Sequence, residues 1–82
     1  SRGLGDVYKR QNLQRELEGL PQRLEELEAA LETLQMQVAD ASFFTQPHDY
    51  TQKVLSELSA AEKALEEAFE RWEYLESLKN GA

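Results

Sequence analysis

The chain has 82 residues, with 16 acidic and 9 basic side chains, a formal net charge of −7 and no cysteine. A chain of this length buries a modest core that leaves little room for an enclosed substrate cleft, and without cysteine it forms no disulfide bond and does no thiolate chemistry. The acidic balance disfavours unaided binding to phosphate backbones, which need Lys and Arg as counter-charges.

Residues 1–11 differ in character from the rest of the chain. The segment Asp6–Gln11 resembles an in-frame translation of a transposon-end adapter used in sequencing libraries. We therefore predict that residues 1–11 are non-native or disordered and lie outside the domain. The alternative is a genuine linker that contains glycine. On the first interpretation Arg2, Lys9 and Arg10 do not form a native basic arm.

An apolar heptad pattern predicts the first helix over residues 12–39. Its apolar residues recur at spacings of three and four, which places them on one narrow stripe of a helix and requires a partner helix. Near Gly19 and Pro21 we expect this helix to be kinked or interrupted, because proline lacks a backbone donor and glycine weakens the same turn. The members of this first seam are Leu17, Leu20, Leu24, Leu27, Leu31, Leu34 and Val38.

The predicted turn, residues 40–46, lacks the heptad pattern and contains turn-forming side chains. Phe43 and Phe44 are adjacent, so they cannot both face the core; we expect one to plug the core and the other to be exposed. The apolar pattern returns in a second predicted helix, residues 47–79, which is followed by a tail, residues 80–82. The second seam consists of Val54, Leu58, Ala61, Leu65, Ala68, Trp72 and Leu75.

The two seams predict an all-α fold, a two-helix antiparallel coiled-coil hairpin. They match in a register in which Val38 faces Val54 and Leu17 faces Leu75, as an antiparallel return at this turn would impose. The alternative is a parallel dimer of long helices, which needs a continuous helix through Pro47 and is disfavoured for that reason. Closing a loop of about ten residues costs little entropy, so we expect a monomeric hairpin.

No catalytic or metal-binding constellation can be found in the sequence. His48 is the single histidine and has no nucleophile motif beside it, so a solvent-facing or helix-capping role is favoured over catalysis. Glu62, Glu66 and Glu70 form a solvated row that no histidine joins at ligand spacing. We expect no enzyme activity, cofactor or metal in this fragment. No apolar run approaches the ~20 residues that span a bilayer, so we expect a cytoplasmic protein without membrane contact.

Four basic residues are the candidate nucleic-acid-binding residues. Arg15, Arg23, Arg71 and Lys79 fall toward the open end of the predicted hairpin, where both helix ends meet. Several glutamates lie among them. The residues alone therefore favour ordinary solubilising charge over a binding site for phosphates.

Residues 35–79 resemble the C-terminal domain of the Uup-type ABC-F ATPases, a member of the ABC transporter C-terminal domain family. Three segments carry the resemblance: Val38–Phe44 at the turn, Gln46–His48 after it, and Glu67–Glu76, which contains an Arg-Trp-Glu sequence. Leu13–Leu34 match in pattern.

The resemblance implies a coiled-coil hairpin that follows two ATP-binding cassettes in a soluble bacterial protein. It implies DNA as a partner, with ribosomal RNA as a second candidate because relatives of the parent ATPase act on ribosomes. It also implies that the parent protein binds ATP and Mg and that its own cassettes are partners of the hairpin. The cassettes and the basic linker of the family are absent from this sequence. The missing linker weakens the expectation that this fragment binds DNA strongly.

Three functions follow as hypotheses. The first is a C-terminal nucleic-acid-binding module, for DNA or ribosomal RNA, of a soluble ABC-F ATP-binding protein. The second is a protein-interaction or spacer coiled coil without nucleic-acid binding, with contacts through Phe43, Phe44 and the turn. Homodimerisation through Leu55, Phe69 and Leu78 is a third. The resemblance favours the first.

Overall fold

The computed structural model describes residues 2–81, and the side chains of residues 7–80. Two helices, α1 (Arg2–Ala39) and α2 (His48–Gly81), run antiparallel and are joined by a turn that contains a short 3-10 helix (Phe43–Thr45). The hairpin measures 62 × 20 × 16 Å. The predicted all-α antiparallel hairpin is confirmed. Ser1 is the first residue of the predicted N-terminal segment and Ala82 is the last residue of the predicted tail. Both lie outside the described residues.

The core of the hairpin is the apolar seam between the two helices. Every predicted seam residue of both helices is buried or half-buried. The most buried side chains are Leu20, Leu24 and Leu27 in α1 and Val54 and Leu75 in α2, which are 2–9% exposed. Heptad spacing keeps these side chains on the facing stripes, and their removal from water stabilises the pairing of the helices.

α1 passes through Pro21 as one continuous helix. Of the two predicted alternatives, a kinked helix or an interrupted one, the structure therefore excludes an interruption of α1 near Pro21. Pro21 itself is exposed, whereas Leu20 and Leu24 on either side of it are buried against α2. Loss of one backbone hydrogen bond weakens the helix locally. Packing of the seam on both sides of Pro21 holds the helix together across that point.

The first helix starts earlier than the sequence predicted. It begins at Arg2 rather than Asn12, because a formed helix adds further turns at its end with little cost once nucleation has been overcome. The apolar pattern nevertheless stops at Leu13, since the next seam position toward the N-terminus is Arg10. The first residues of α1 thus extend the helix without extending the seam. That residues 1–11 are non-native stays a prediction.

The turn separates the two adjacent phenylalanines as predicted. Phe43 is 3% exposed and closes the end of the core, whereas Phe44 is 70% exposed. Their rings meet edge to face, with centroids 4.9 Å apart. α2 then begins at His48, one residue after the predicted start, and continues past the predicted end to Gly81.

Candidate nucleic-acid interface

The paired register divides the hairpin into two halves of very different charge. We call residues 2–23 and 69–81 the open half, and residues 24–68 the turn half. The open half carries seven basic and six acidic side chains, whereas the turn half carries two basic and ten acidic ones. The turn half therefore has a net charge of −8, and the open half has a net charge of +1. All four predicted binding residues lie in the open half.

Arg71 is held across the hairpin by Glu16. The Nε and Nη2 groups of Arg71 donate hydrogen bonds of 2.6 and 2.9 Å to the two carboxylate oxygens of Glu16, a bidentate ion pair. These hydrogen bonds lower the pKa of the Glu16 carboxyl and raise the pKa of the Arg71 guanidinium. The guanidinium carbon also lies 5.3 Å from the centre of the Tyr74 ring. A phosphate that approaches Arg71 must therefore compete with a carboxylate already in place.

This ion pair identifies one edge of the coiled coil. Glu16 directly precedes the seam residue Leu17, and Arg71 directly precedes the seam residue Trp72. Residues in this heptad position of both helices line the same edge of an antiparallel pair. Arg23, which precedes a seam leucine in the same way, is exposed and belongs to this edge. We call the edge formed by Glu16, Arg23 and Arg71 the arginine edge.

The opposite edge of the coiled coil is formed by the residues that follow the alternate seam positions, which include Leu20, Ala68 and Leu75. In the open half it contains Pro21, Phe69 and Glu76 and has no cation. The two arginines that flank the seam of the open half, Arg23 and Arg71, therefore lie on the same edge of the coiled coil. This arrangement can be recognised in the sequence only after the register of the two helices is known.

The two remaining candidates lie near the arginine edge and at the end of the seam. Arg15 is exposed on α1, next to Glu16 in the chain, and Lys79 is exposed near the end of α2. The structure therefore brings Arg23 and Arg71 to one edge, places Arg15 beside it, and sets Lys79 apart at the open end. None of these placements tests a contact with nucleic acid, so the four residues stay predicted binding residues.

An apolar groove with a cationic rim opens where the two helices end. It has a volume of about 480 Å³ and lies between the last described turns of the seam. Arg10, which the sequence assigned to the non-native segment, forms part of its rim together with Lys79. The residues that line the groove are Arg10, Leu13, Gln14, Leu17, Leu75, Leu78 and Lys79.

The described residues offer charge rather than reactive chemistry. Among residues 2–81, no three His, Cys, Asp or Glu side chains come together as a set that could hold a metal ion. No helix in this part of the chain combines the length and the apolar character that a membrane crossing requires. What the open half can do is contact anionic oxygens through exposed guanidinium and ammonium groups.

Comparison with known proteins assigns the chain to a family. Residues 9–77 match the ABC transporter C-terminal domain family. The chain belongs to this family. The matched residues form the coiled-coil hairpin described above and not a catalytic cassette.

Relatives of this ABC transporter C-terminal domain carry the name Uup. The chain is 75% identical over 69 residues to the ATP-binding protein Uup of Escherichia coli K12, and this match covers 84% of the chain and 11% of the relative. It is 57% identical over 67 residues to an ATP-binding protein Uup-like of Haemophilus influenzae, covering 82% of the chain and 15% of the relative. The chain thus spans a small part of the length of these proteins.

A solved structure shares the fold. It is described as showing that the C-terminal domain of the Uup protein is a DNA-binding coiled coil motif. The TM-score is 0.80 and the sequence identity 73%, and the match covers 87% of this chain and 84% of the other. The predicted resemblance to the Uup C-terminal coiled coil is confirmed.

Proposed function

We propose that this hairpin is a DNA-binding coiled-coil domain that contacts the phosphate backbone through its open half. The observation that supports it most is the charge division between the halves, in a chain that is 73% identical to a domain described as a DNA-binding coiled coil. A protein of net charge −7 binds a polyanion where carboxylates oppose its cations least. The open half is that place even without residues 2–11, since it then carries four basic and five acidic side chains, against two and ten in the turn half.

Distance allows the acidic turn half and a DNA-binding open half to coexist. The hairpin is 62 Å long, whereas exposed charges are screened over about 10 Å at 0.1 M salt. Phosphates at the open end therefore experience mainly the cations beside them. The glutamates near the turn act on a distant part of the molecule and keep the chain soluble.

Arg15, Arg23, Arg71 and Lys79 supply the phosphate contacts in this proposal. All four are exposed, and guanidinium and ammonium groups suit phosphate oxygens. Contacts of this kind position a protein on DNA without reading its sequence. We therefore expect binding that depends on salt and hardly on base sequence.

The whole protein from which the hairpin derives is proposed to be a cytoplasmic ABC-F ATPase. Its relatives are named ATP-binding proteins and are much longer than this chain, so ATP and Mg would be bound outside the hairpin. The cassettes of the same protein would then be partners of the hairpin. Ribosomal RNA is the competing nucleic acid, because it presents the same phosphates.

The proposal is tested by a salt titration of binding to fluorescent duplex DNA, followed by anisotropy. Log affinity falls with log salt by about 0.9 for each phosphate contacted in B-DNA, so Arg15, Arg23 and Lys79 together predict a slope near −3. Arg71 adds to this slope only where a phosphate displaces the Glu16 carboxylate from it. The double variant Arg15→Glu with Arg23→Glu should lose about 1.8 from this slope. Structured RNA in a parallel titration separates the two nucleic acids.

A matched control changes charge by the same amount in the turn half. Lys53→Glu with Lys63→Glu should leave the slope unchanged, because both residues lie in the acidic part of the hairpin. Lys9→Ala with Arg10→Ala measures the contribution of residues 1–11. Equal losses in the two charge-reversed double variants, or no binding at low salt, would overturn the proposal and favour a spacer or protein-docking coiled coil.

A further inference from the structure

The turn carries an aromatic cluster that the fold does not need in full. Phe43 closes the core, but Phe44 and Tyr50 on either side of it are 70% and 45% exposed. The ring of Phe43 lies 4.9 Å from that of Phe44 and 6.3 Å from that of Tyr50, centroid to centroid. We call Phe43, Phe44 and Tyr50 the tip cluster. One buried ring thus supports two rings that face solvent.

Hydrogen bonds fix the backbone that presents Phe44. The Asp40 Oδ1 atom accepts hydrogen bonds from the Ser42 amide at 2.9 Å and from the Ser42 hydroxyl at 2.8 Å. The Thr45 hydroxyl donates to the Ser42 carbonyl at 2.6 Å, and the Phe43 amide donates to the Asp40 carbonyl at 2.9 Å. Small polar side chains therefore form the turn, and the exposed ring of Phe44 takes no part in it. Its position is preorganised before any partner arrives, which reduces the entropy lost on binding.

Carboxylates outnumber cations around the tip cluster. Asp40 precedes it and Asp49 lies in the first turn of α2, whereas the nearest Lys or Arg in the chain is Lys53, one helical turn after Tyr50. Beside the cluster lies a shallow depression of about 170 Å³ that includes the Asp40 and Tyr50 side chains in its lining. Both hydrogen bonds that the described residues make to the Asp40 carboxylate end on Oδ1, and Asp40 is an exposed residue, so its carboxylate can also accept a hydrogen bond from a cationic group. Such a surface repels nucleic acid and anionic membranes and attracts basic protein segments.

We propose that the tip cluster docks a basic protein segment, in which an apolar side chain packs against Phe44 and Tyr50 while a neighbouring Lys or Arg reaches Asp40. Aromatic side chains in such a position supply most of the binding energy of protein interfaces, and the acidic surroundings select the partner by charge. This site lies at the opposite end of the hairpin from the proposed DNA contacts and does not depend on them. The hairpin would then hold a protein at one end and DNA at the other.

The test uses the whole chain labelled with nitrogen-15 and a synthetic peptide of alternating Lys and Leu. Backbone amide shifts should concentrate at residues 40–50, and the peptide of alternating Glu and Leu should cause none. Phe44→Ala should weaken binding of the basic peptide roughly tenfold, as truncation of an aromatic anchor does. Asp40→Asn should weaken it less, because it removes the charge and keeps the side-chain oxygen that Ser42 contacts.

Phe69→Ala is the matched control, since Phe69 is a partly exposed phenylalanine on α2 away from the turn. It should leave the affinity for the basic peptide unchanged. Circular dichroism verifies that each variant stays helical, which we expect for Phe44→Ala because its side chain is mostly in solvent. The proposal is wrong if the peptide does not bind, if shifts spread along the acidic faces of both helices, or if the two phenylalanine variants weaken binding equally. Shifts at the tip caused by anionic vesicles or duplex DNA would also overturn it.

Discussion

The open half and the turn half share one seam and differ in almost everything that flanks it. Leu17 and Leu75 pack in the open half as Val38 and Val54 do in the turn half, on the same heptad rhythm. Yet the first half is nearly neutral and the second strongly acidic. The comparison shows that the seam sets the fold, while the flanking residues are left to set what each end attracts. The two ends of one hairpin therefore present surfaces of different charge.

The largest effect should come from a seam residue of the open half. Leu75→Ala removes a side chain that is 2% exposed, and truncations of this kind cost about 3 kcal/mol of unfolding free energy. Such a loss would show that the open half is a firmly packed part of the hairpin. Urea denaturation followed by helical ellipticity measures it.

The control for this variant is Leu78→Ala on the same helix. Leu78 is 40% exposed and should cost much less than Leu75, because much of its surface remains in water either way. If Leu75→Ala is as mild as Leu78→Ala, the open half is a frayed extension of the hairpin. The basic residues of the open half would then not be held in fixed positions by packing of the seam.

The fold was predictable because its determinants are local and repeated. Heptad spacing places the leucines on one face whatever the rest of the chain does, and a turn between two such faces leaves few ways to pair them. That one of the adjacent residues Phe43 and Phe44 would be buried and the other exposed was also predictable, but which of them is buried was not. The continuity of α1 through Pro21 did not, because local propensity and packing oppose each other there and only the packed pair of helices decides between them.

The composition of the candidate site was predictable directly, whereas its arrangement was predictable only through the register of the two helices. The sequence placed Arg71 toward the open end, but its bidentate pairing with Glu16 joins residues 55 positions apart. The sequence did contain a signal for this pairing. Glu16 and Arg71 directly precede Leu17 and Trp72, which occupy the same heptad position, and the positions before it share an edge in an antiparallel pair. That rule, applied to the predicted register, identifies the arginine edge from the sequence.

A smaller effect than that of Leu75→Ala, and one that sharpens the comparison, is expected from Glu16→Gln. Without the carboxylate charge, Arg71 is released from its ion pair and becomes available to a phosphate. DNA affinity should rise, and the salt slope should steepen by about 0.9, the value of one added phosphate contact. Fluorescence anisotropy on duplex DNA measures both quantities.

Glu18→Gln is the control, because it removes the same charge from a residue whose carboxylate accepts a hydrogen bond from Gln14 at 3.4 Å and pairs with no cation among the described residues. It should leave the slope almost unchanged. Equal steepening in Glu16→Gln and Glu18→Gln would mean that only the net charge of the open half matters. The ion pair would then have no specific role in DNA binding.

The smallest effect should appear in the pH dependence of stability. Hydrogen bonds from Arg71 lower the pKa of Glu16 in the folded hairpin below its ordinary value of 4.5. A carboxyl group with a lowered folded pKa stabilises the fold above its unfolded pKa, and this contribution is lost as the pH falls through the folded value. The difference in Tm between the wild type and Glu16→Gln should therefore be constant from about pH 7 to about pH 5 and disappear below it. The difference stays small throughout because both side chains are well exposed and water screens the pair. A difference in Tm that persists at a pH of about 2, where carboxyl groups are protonated, would show that Glu16 stabilises α1 by another route. The contact between Glu16 and Arg71 would then not depend on the charge of Glu16.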